Sequence, residues 1–307
     1  MSRILVTGGA GFIGYNFSIY AQSLGHDITI LDSLVGSNIS KDTIVHSGMK
    51  FIQRDIRTLD SLNVADGQFD TLIHLAAQTS VQYSILHPEE TREINVEGTA
   101  AVFRFAKRSS IGRVIVASSS AVYGDSKEEV HRIGEEGNML SPYAVSKYEN
   151  EKQVLKHRLD GFESIALRFF NVFGPGQSST GAYAAVIPTF IEKISQNIPC
   201  TIFGDGFQTR DFIFVQDVIE LLLTLVTNNS LITKSHVYNV GTGGGTTVKE
   251  IGMIISDLAG YPEFNFVTQP QREGDVIHSI SETKQTEVDL NWQPRFSVRQ
   301  GLEQFVE

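Results

Sequence analysis

The chain has 307 residues, of which 41% are hydrophobic and 20% are charged, and its net charge is −10 with a pI near 5.3. This length allows a large core in one or two domains, and the acidic balance argues against a nucleic-acid binder held by overall charge. Cys200 is the only cysteine, which excludes an internal disulfide and a thiolate metal cluster and fits a reducing cytoplasm. No apolar run approaches the ~20 residues of a membrane helix, and glycines interrupt the apolar start too early for a signal peptide.

Short β-rich runs alternate with longer helical stretches through about residue 170, and most of the runs are nearly continuous aliphatic segments, as in strands buried on both faces. The predicted strands are residues 3–8, 27–32, 50–55, 71–76, 113–118 and 164–169. The predicted helices between them are residues 12–24, 88–109 and 142–159. This alternation predicts an α/β fold with a Rossmann-type, doubly wound parallel sheet and right-handed crossovers.

The pattern changes after residue 170. Residues 169–183 are rich in Gly, Pro and Ser and are predicted to form a long loop. Further helices are predicted at 188–197, 215–228 and 248–259, and further strands at 201–204 and 236–241. Thr247 and Glu250 predict a capping box for the last helix. The predicted domains are a Rossmann domain over 1–167, to which 212–240 return, and a smaller α/β C-terminal substrate domain over 168–211 and 241–307.

The first predicted strand runs into TGGAGFIG, in which Gly8, Gly11 and Gly14 precede a helix. Glycines permit a tight turn and let phosphate oxygens approach the backbone, and the helix N-terminus offers unpaired N–H groups. Asp32 ends the second strand about 18 residues beyond Gly14, where a carboxylate can bind a ribose 2′-hydroxyl and repel a 2′-phosphate. This context favours NAD binding over a structural turn with a surface aspartate. A second glycine run, at 241–247, lacks the P-loop ending and is interpreted as a loop entering the capped helix.

The stretch SPYAVSK places Tyr143 and Lys147 four residues apart, and hence on one face of a helix. Ser141 can cap that helix, and Pro142 suits its first position. A nearby ammonium favours the anionic form of a phenol, so the pair could act as a base near neutral pH. Taken alone, the stretch also fits a solvated tyrosine and an unrelated surface lysine. Ser119, in SSSAVYG, is a further candidate because ligands bind at the carboxyl ends of parallel strands, although three serines in a row also fit a polar strand end.

Together these motifs resemble the extended short-chain dehydrogenase/reductases, in the NAD-dependent epimerase/dehydratase family, over nearly the whole chain. The resemblance includes TGGAGFIG, Asp32, RDIR (54–57), HLAAQTSV (74–81), NVEGT (95–99), SSSAVYG (118–124), SPYAVSK (141–147), RFFNVFGP (168–175), GDGFQTRDFIFVQDV (204–218) and REGDV (272–276). Within the family the chain is most similar to the UDP-hexose 4-epimerases, because YAAVIPTF (183–190) is followed by IFGDG and QTRDF. The resemblance implies NAD as cofactor, a UDP-sugar as substrate, and a homodimer formed through the helices near 88–109 and 142–159.

The resemblance also implies roles for individual residues. Ser119 and Tyr143 would hydrogen-bond the sugar 4-hydroxyl, Tyr143 would remove its proton, and Lys147 would bind the nicotinamide ribose and stabilise the phenolate. The cofactor would be lined by Gly8, Gly11, Phe12, Ile13, Gly14, Asp32, Asp55, Ile56, Leu75, Ala76, Ala77, Thr79, Asn95, Tyr143, Lys147 and Phe170. The substrate would be contacted by Ser119, Ser120, Asn171, Ala185, Val186, Thr201, Phe203, Arg210, Arg272, Asp275 and Ser279. Arg210 and Arg272 would pair with the diphosphate as forked cations, Asn171 would lie beside it, Asp275 would bind the uridine ribose and Phe203 would contact the uracil.

Members of the family share oxidation at C4 with hydride transfer to NAD, and the following steps distinguish them. Dehydratases need an acid and a base directly after the active serine or threonine, and decarboxylating members carry a nearby Glu, whereas Ser119 is followed by Ser120 and Ala121. We therefore predict an isomerase that returns hydride to the opposite face of a transient 4-keto sugar. Ser279, seven residues beyond Arg272, would leave room for a 2-acetamido group, which predicts activity on UDP-glucose/UDP-galactose and on UDP-GlcNAc/UDP-GalNAc; alternatively, Ser279 packs at a loop edge.

Other functions remain as alternatives. A UDP-glucuronate 4-epimerase, or another NAD-dependent nucleotide-sugar enzyme, would need a cation or hydroxyl cluster for the C6 carboxylate, and the sequence does not locate one. A non-catalytic binding protein is disfavoured because the tyrosine and the lysine are both present. The absence of a G-x-S-x-G elbow argues against a serine hydrolase, and scattered histidines without H-E-x-x-H argue against a metal site. His74, in an apolar strand, is interpreted as a core residue.

Overall fold

The computed structural model describes residues 1–37, 39–65, 67–179, 185–228, 233–261, 263–271 and 276–306. Its strands are β1 (Arg3–Thr7), β2 (Asp27–Asp32), β3 (Lys50–Gln53), β4 (Thr71–His74), β5 (Arg113–Ser119), β6 (Val130–His131), β7 (Glu163–Phe169), β8 (Asn171–Phe173), β9 (Cys200–Phe203), β10 (Thr209–Arg210), β11 (Phe212–Phe214), β12 (Val237–Val240), β13 (Thr246–Thr247), β14 (Phe266–Gln269) and β15 (His278–Ser281). Its helices are α1 (Phe12–Ser23), α2 (Lys41–His46), α3 (Val81–Leu86), α4 (Pro88–Arg92), α5 (Gly98–Arg108), α6 (Pro142–Leu159), α7 (Val186–Ser195), α8 (Val215–Thr227), α9 (Val248–Leu258), α10 (Lys284–Leu290) and α11 (Val298–Val306). Two 3₁₀ turns, Ile56–Ser61 and Ser120–Tyr123, and a π turn, Glu93–Glu97, complete the helical segments.

A parallel sheet of seven strands, in the order β12-β7-β5-β4-β1-β2-β3, forms the centre of the molecule. Its aliphatic side chains, such as Ile4, Leu5 and Val6, are fully buried, as expected for strands covered on both faces. The strand order reverses between β1 and β4, and in folds of this kind ligands bind in the crevice at the carboxyl ends of the strands at that point. The predicted Rossmann-type parallel sheet is thus confirmed.

The helix that carries the tyrosine and the lysine has the predicted bounds. Ser141 accepts a hydrogen bond from the amide of Ala144 at 3.1 Å, and Pro142 occupies the first helical position. The segment predicted as one helix over 88–109 consists of α4, the π turn and α5 in succession. The predicted capping box of Thr247 and Glu250 is also present at the start of α9. Local capping chemistry therefore predicted these helix ends correctly.

The predicted loop over 169–183 is wrong in part, because Asn171–Phe173 form β8. This strand pairs in parallel with β11, with Asn171 opposite Phe212 and Phe173 opposite Phe214. A three-residue strand carries no periodicity, and its partner lies far away in sequence, so the local composition could not reveal it. Residues 180–184 lie outside the described ranges.

The C-terminal third contributes both to the central sheet and to smaller sheets. β12 pairs in parallel with β7 at the outer edge of the central sheet, and α8 packs on α1. Separately, β13, β10, β15 and β6 form a four-stranded sheet, and β14 pairs with β9. The division into two domains at the predicted boundaries stays a prediction. None of the helices within the described ranges is both long enough and apolar enough to cross a bilayer.

Candidate active site

The predicted site residues among the first 170 residues lie at one edge of the central sheet. Gly8, Asp55, Leu75 and Phe170 follow strands β1, β3, β4 and β7 closely, while Asp32 and Ser119 end β2 and β5. Leu75, Ala76, Ala77 and Thr79 form the segment that leaves β4, and the amide of Leu75 donates to the carbonyl of Thr7 at 3.0 Å. The carboxyl ends of parallel strands meet at the same edge, which brings these residues around the crevice.

The glycines between β1 and α1 serve two different purposes. Gly8 has φ +72°, and a Cβ there would lie 2.5 Å from the amide nitrogen of Ala76, so neither its conformation nor its surroundings admit a side chain. A Cβ on Gly14 would lie 2.8 Å from Gly9 Cα. Gly11, by contrast, meets only the Gly8 carbonyl oxygen at 3.2 Å and leaves space in front of α1, which starts with Phe12, Ile13 and Gly14. This loop therefore fits a dinucleotide phosphate approaching the amides at the helix N-terminus.

Asp32 is held in place by backbone amides of the glycine loop and of the segment after β2. Its carboxylate accepts hydrogen bonds from the amide of Ala10 at 3.0 Å and from the amide of Leu34 at 2.8 Å. The carboxylate is thus oriented at the end of β2, the position at which an acid selects a ribose 2′-hydroxyl.

Asp55 and Ile56 make contacts within the protein that the sequence analysis did not anticipate. The Asp55 carboxylate accepts from the Arg57 guanidinium at 2.6 Å and from the Arg57 amide at 2.8 Å, so that it caps the 3₁₀ turn. The hydrogen bonds from Arg57 hold the pKa of the Asp55 carboxyl below its usual value. Ile56 is buried against Gly98, where an added Cβ would collide with it. Both residues thus have structural partners, and their contact with a cofactor stays a prediction.

Asn95 links the segment after β4 to α6. It lies in the π turn, its side-chain amide donates to Gln78 O at 3.0 Å and to Ser146 Oγ at 2.9 Å, and its Oδ1 accepts from the Gln78 amide at 2.8 Å. Asn95 is almost completely buried. The crevice floor and the helix that carries Tyr143 are therefore fixed relative to each other.

Tyr143, Lys147 and Ser119 come together as the sequence predicted. Tyr143 and Lys147 are only 9% and 3% exposed, and the ammonium lies 5.8 Å from the centroid of the phenol ring. Lys147 donates to the carbonyl of Ala117 at 2.9 Å. Ser119 ends β5, its hydroxyl accepts from the Ala121 amide at 3.2 Å, and Ser120 begins the following 3₁₀ turn. The solvated-tyrosine interpretation is therefore wrong.

Burial dominates the acid–base behaviour of this pair. Desolvation raises the pKa of the Tyr143 phenol, and a hydrogen bond with Ser119 opposes that rise. Desolvation also lowers the pKa of the Lys147 ammonium to about 8, and the negative charge of Glu151 opposes that fall. The protein alone therefore does not bring the tyrosine pKa down. A base at neutral pH needs an additional cation beside the phenol, which an oxidised nicotinamide supplies when it is bound.

His74 is a core residue, as predicted. Its Nδ1 lies 2.7 Å from Thr7 Oγ1 and its Nε2 lies 2.9 Å from Thr99 Oγ1. The Thr99 hydroxyl donates its proton to the Asn95 carbonyl at 2.6 Å, so Nε2 must donate to Thr99 and Nδ1 must accept from Thr7. Burial, together with the charge of Lys147, lowers the pKa of His74 to about 3. The neutral ring consequently links β4 to β1 and α5 through hydrogen bonds.

The predicted substrate residues lie on the smaller sheets and loops. Arg210 on β10 and Ser279 on β15 are opposite each other in adjacent parallel strands. Asn171 is exposed at the start of β8, and its amide donates to the Asp211 carbonyl at 2.9 Å. The remaining described members are Thr201 and Phe203 on β9, Ala185 at the cap of α7 and Val186 in its first turn. Arg272 and Asp275 lie outside the described residues.

Two buried polar clusters escaped the sequence analysis. Asp211 is fully buried and accepts hydrogen bonds from the amides of Thr242, Gly243 and Ser281 and from two hydroxyls. The second cluster joins Arg168 on β7 to Glu151 on α6 through two hydrogen bonds of 2.8 and 2.7 Å. Asp211 and Arg168 stand inside the recognised motifs QTRDF and RFFNVFGP, and Glu151 lies four residues beyond Lys147, but the partners of each are distant in sequence. The sequence signal for such buried charges was a charged residue directly before or within an apolar run.

The fold and this edge define a Rossmann-type dinucleotide-binding enzyme with a half-buried serine and a buried tyrosine and lysine at the crevice. Among the described residues, no group of three or more His, Cys, Asp or Glu is placed to hold a metal ion.

Comparison with known proteins agrees with this class. The profile of the NAD dependent epimerase/dehydratase family matches residues 4–241. A putative UDP-glucose 4-epimerase from Methanocaldococcus jannaschii is 36% identical over 99% of this chain and 97% of its own length. A UDP-N-acetylglucosamine 4-epimerase from Methanobrevibacter ruminantium, solved with UDP-N-acetylmuramic acid, has a TM-score of 0.89 at 30% identity, covering 99% and 97% of the two chains. The Thermus thermophilus UDP-glucose 4-epimerase complex with NAD has a TM-score of 0.86 at 29% identity, with the same coverage of 99% and 97%.

The chain belongs to the NAD dependent epimerase/dehydratase family, and its cofactor is NAD. The family includes more than one reaction among the relatives of this chain. UDP-glucuronic acid decarboxylase 1 of Arabidopsis thaliana is 29% identical over 99% of this chain and 69% of its own length. Membership of the family therefore does not by itself determine which reaction this chain catalyses.

Proposed function

We propose that this protein is a UDP-hexose 4-epimerase that acts through a transient 4-keto sugar. The observation that carries the proposal is the placement of the buried Tyr143 and Lys147 beside the half-buried Ser119 at the carboxyl end of β5. In this proposal Tyr143 accepts the proton of the sugar 4-hydroxyl, Ser119 orients that hydroxyl, and Lys147 stabilises the phenolate. NAD held at the glycine loop and Lys147 would supply the reversible hydride acceptor for C4, so that no net oxidant would be consumed.

The surroundings of Ser119 support epimerisation over elimination or decarboxylation. The three residues after Ser119 are Ser120, Ala121 and Val122, none of which is an acid or a base. The carboxylates of the buried Glu151 and the half-buried Glu136 both accept hydrogen bonds from the Arg168 guanidinium. A carboxylate held in this way is a poor proton carrier, because transferring a proton to it would break a charge-assisted bond. Return of the hydride to the opposite face of the ketone needs no such group.

The substrate is proposed to be a UDP-hexose with or without a 2-acetamido group. Support comes from the small side chain of Ser279, which lies beside Arg210 across two paired strands. The names of the relatives include both UDP-glucose and UDP-N-acetylglucosamine 4-epimerases. UDP-glucuronate is the second candidate substrate, since a matching decarboxylase is named for that sugar.

Proton NMR of the purified protein with UDP-glucose, UDP-GlcNAc or UDP-glucuronate, without added reductant, tests the proposal. The expected result is the appearance of the anomeric signals of UDP-galactose and UDP-GalNAc until each pair reaches equilibrium. Equilibration of UDP-glucuronate alone would favour the second candidate. If none of the three sugars equilibrates in protein that binds NAD, the epimerase proposal is wrong.

We also propose that the protein is a cytoplasmic homodimer, assembled through the helical segment 88–108 and α6. Leu140 and Val145 expose apolar side chains in a shallow hollow that Pro88 and Pro142 also line. Apolar groups clustered in this way are typical of protein–protein contacts. Light scattering should give the mass of two chains for the wild type and of one chain for Leu140→Glu/Val145→Glu. A monomeric wild type would rule the dimer out.

A further inference from the structure

Glu151 extends the line of catalytic side chains by one helical turn. Tyr143, Lys147 and Glu151 follow each other at intervals of four residues on α6, so that they stack along one helix face. All three are buried, at 9%, 3% and 2% exposure. The series is therefore a phenol, an ammonium and a carboxylate in a region shielded from water.

Glu151 is fixed rigidly behind Lys147. Its carboxylate accepts from Arg168 Nε at 2.8 Å and from Arg168 Nη2 at 2.7 Å, and also from the hydroxyl of Ser118. Arg168 is itself 2% exposed, spans Glu151 and Glu136, and lies 4.8 Å above the ring of Tyr123. A bidentate guanidinium–carboxylate pair fixes the position of both groups. Glu151 therefore cannot swing toward Lys147 or away from it.

The charges of the cluster balance only when Lys147 is counted. Arg168 contributes one positive charge and pairs with two carboxylates, those of Glu151 and Glu136, which leaves one negative charge in excess. The Lys147 ammonium supplies the missing positive charge. An uncompensated charge in a buried cluster is costly, so the excess carboxylate favours the protonated form of this lysine.

The other ionisable groups around Lys147 do not favour its ammonium form. The elements packed on α6 carry Tyr83 on α3, Arg113 on β5, Tyr123 in the 3₁₀ turn, Glu163 and Arg168 on β7, and the exposed Glu89, Glu90, Arg92, Glu93 and Glu97 of α4 and the π turn, while His74 on β4 and His236 before β12 lie nearby. Arg113 and Glu163 pair with each other at the opposite ends of their strands from Ala117 and Arg168. His74 is neutral and the acids of α4 face solvent. Arg168 is positive and therefore disfavours the ammonium form of Lys147.

We propose that Glu151 is a positioning residue for the catalytic pair: its buried carboxylate, anchored by Arg168, keeps Lys147 in the ammonium form beneath Tyr143. The link to catalysis rests on the function proposed above, whereas the effect on Lys147 does not. Burial alone lowers the pKa of Lys147, and Glu151 is the group that opposes it. Without the carboxylate, a larger share of the enzyme would carry a neutral lysine at working pH, and the phenolate would lose its fixed cation.

NMR of protein labelled with [ε-¹³C]lysine tests the proposal directly, with Lys147 assigned from the signal that Lys147→Met removes. In Glu151→Gln the titration midpoint of Lys147 should fall by about one pH unit. Arg168 keeps Glu136 as a partner in this variant, so no buried guanidinium is left unpaired. Glu136→Gln is the matched control: it also removes one carboxylate from Arg168, but this carboxylate lies outside α6 and binds Nη1, and its loss should shift the midpoint by less than half as much. Glu151→Asp, which keeps the charge, should bring the midpoint back toward that of the wild type.

The outcomes separate positioning from a purely structural clamp between α6 and β7. A clamp predicts a lower Tm in Glu151→Gln with an unchanged Lys147 midpoint, and that result, or equal shifts in both glutamine variants, would overturn the proposal. If Glu151→Gln does not fold, Glu136→Gln/Glu151→Gln/Arg168→Gln removes the net negative charge of the cluster without leaving an unpaired ion, and should still lower the midpoint. In an active enzyme, the alkaline limb of the kcat/KM profile should move to lower pH in parallel. A wild type that epimerises no sugar would remove the proposed function but leave the titration result valid.

Discussion

Arg210 and Ser279 lie directly opposite each other in the adjacent parallel strands β10 and β15. Side chains in register on neighbouring strands point to the same face of a sheet. The backbone of Ser279 is also engaged, since its carbonyl accepts from the Asp211 amide at 2.9 Å. A change at the Ser279 side chain therefore alters the space beside Arg210 without removing a hydrogen bond of the sheet.

This arrangement predicts the effect of Ser279→Tyr on substrate choice. The bulky ring should crowd a 2-acetamido group and cost about 1–3 kcal/mol, so that kcat/KM for UDP-GlcNAc falls roughly 10–100-fold. The value for UDP-glucose should change much less. Steady-state kinetics on both sugars measure the ratio, and Ser279→Ala, which keeps the residue small, is the control. Equal losses on both sugars would contradict the pocket argument.

Tyr143→Phe should remove the catalytic base while leaving the fold intact. Loss of a positioned proton acceptor typically slows a reaction by about 10²–10⁴-fold. The phenyl ring still fills the same buried space, so the variant should keep its NAD, detectable by absorbance after denaturation. Tyr20→Phe, at a half-buried tyrosine on α1, is the control and should retain full activity. Wild-type turnover in Tyr143→Phe would assign the proton transfer to another group.

The glycine loop predicts different results for two alanine substitutions. Gly14→Ala should lower Tm, because its Cβ would meet the Gly9 backbone at 2.8 Å. Gly11→Ala should lower Tm much less than Gly14→Ala, because its Cβ meets only Gly8 O at 3.2 Å, but should weaken NAD binding because the Cβ would project into the space in front of α1. Calorimetry measures both quantities, and Gly112→Ala, where the nearest atom is 3.4 Å away, is the control. Undiminished NAD affinity in Gly11→Ala would place the phosphates elsewhere.

His74 predicts a pH dependence of stability. Burial and the charge of Lys147 lower the pKa of the His74 imidazole from its ordinary value of 6.5 to about 3. Between these values the unfolded chain binds a proton that the folded chain excludes, so the folded state loses stability as pH falls below 6.5. The loss attributable to His74 at pH 5 is about 2 kcal/mol. Tm should therefore decline less steeply between pH 6.5 and 4 in His74→Gln than in the wild type, whereas His46→Gln, at an exposed histidine, should follow the wild type. Parallel curves for all three proteins would contradict a neutral buried ring.

The central sheet and the catalytic pair could be predicted from the sequence because both depend on short-range patterns. Aliphatic runs gave the strands, and the spacing from Tyr143 to Lys147, with Ser141 as the cap, gave a helix of the observed bounds. The environment of that pair was not predictable in the same way. Arg168 lies 17 residues from Glu151 and 32 from Glu136, and only the folded sheet shows that they meet.

The predicted substrate-binding residues show even more clearly that contacts between distant parts of the chain could not be predicted from the sequence. QTRDF was recognised for Arg210, but the neighbouring Asp211 is the residue that joins distant segments. It binds Thr242 and Gly243 across 31 and 32 positions and Ser281 across 70. No local periodicity encodes such contacts, because a buried carboxylate is specified by donors that arrive from several parts of the chain.

β12, one of the two edge strands of the central sheet, comes late in the chain. Val237–Val240 cover β7, which ends at Phe169, so a growing polypeptide presents β7 as an open edge until those residues have been synthesised. An uncovered, aliphatic edge strand offers its backbone groups to any other extended segment, including another nascent copy. Ribosome stalling, or a premature stop between these two segments, should consequently yield aggregating fragments rather than a shortened functional protein.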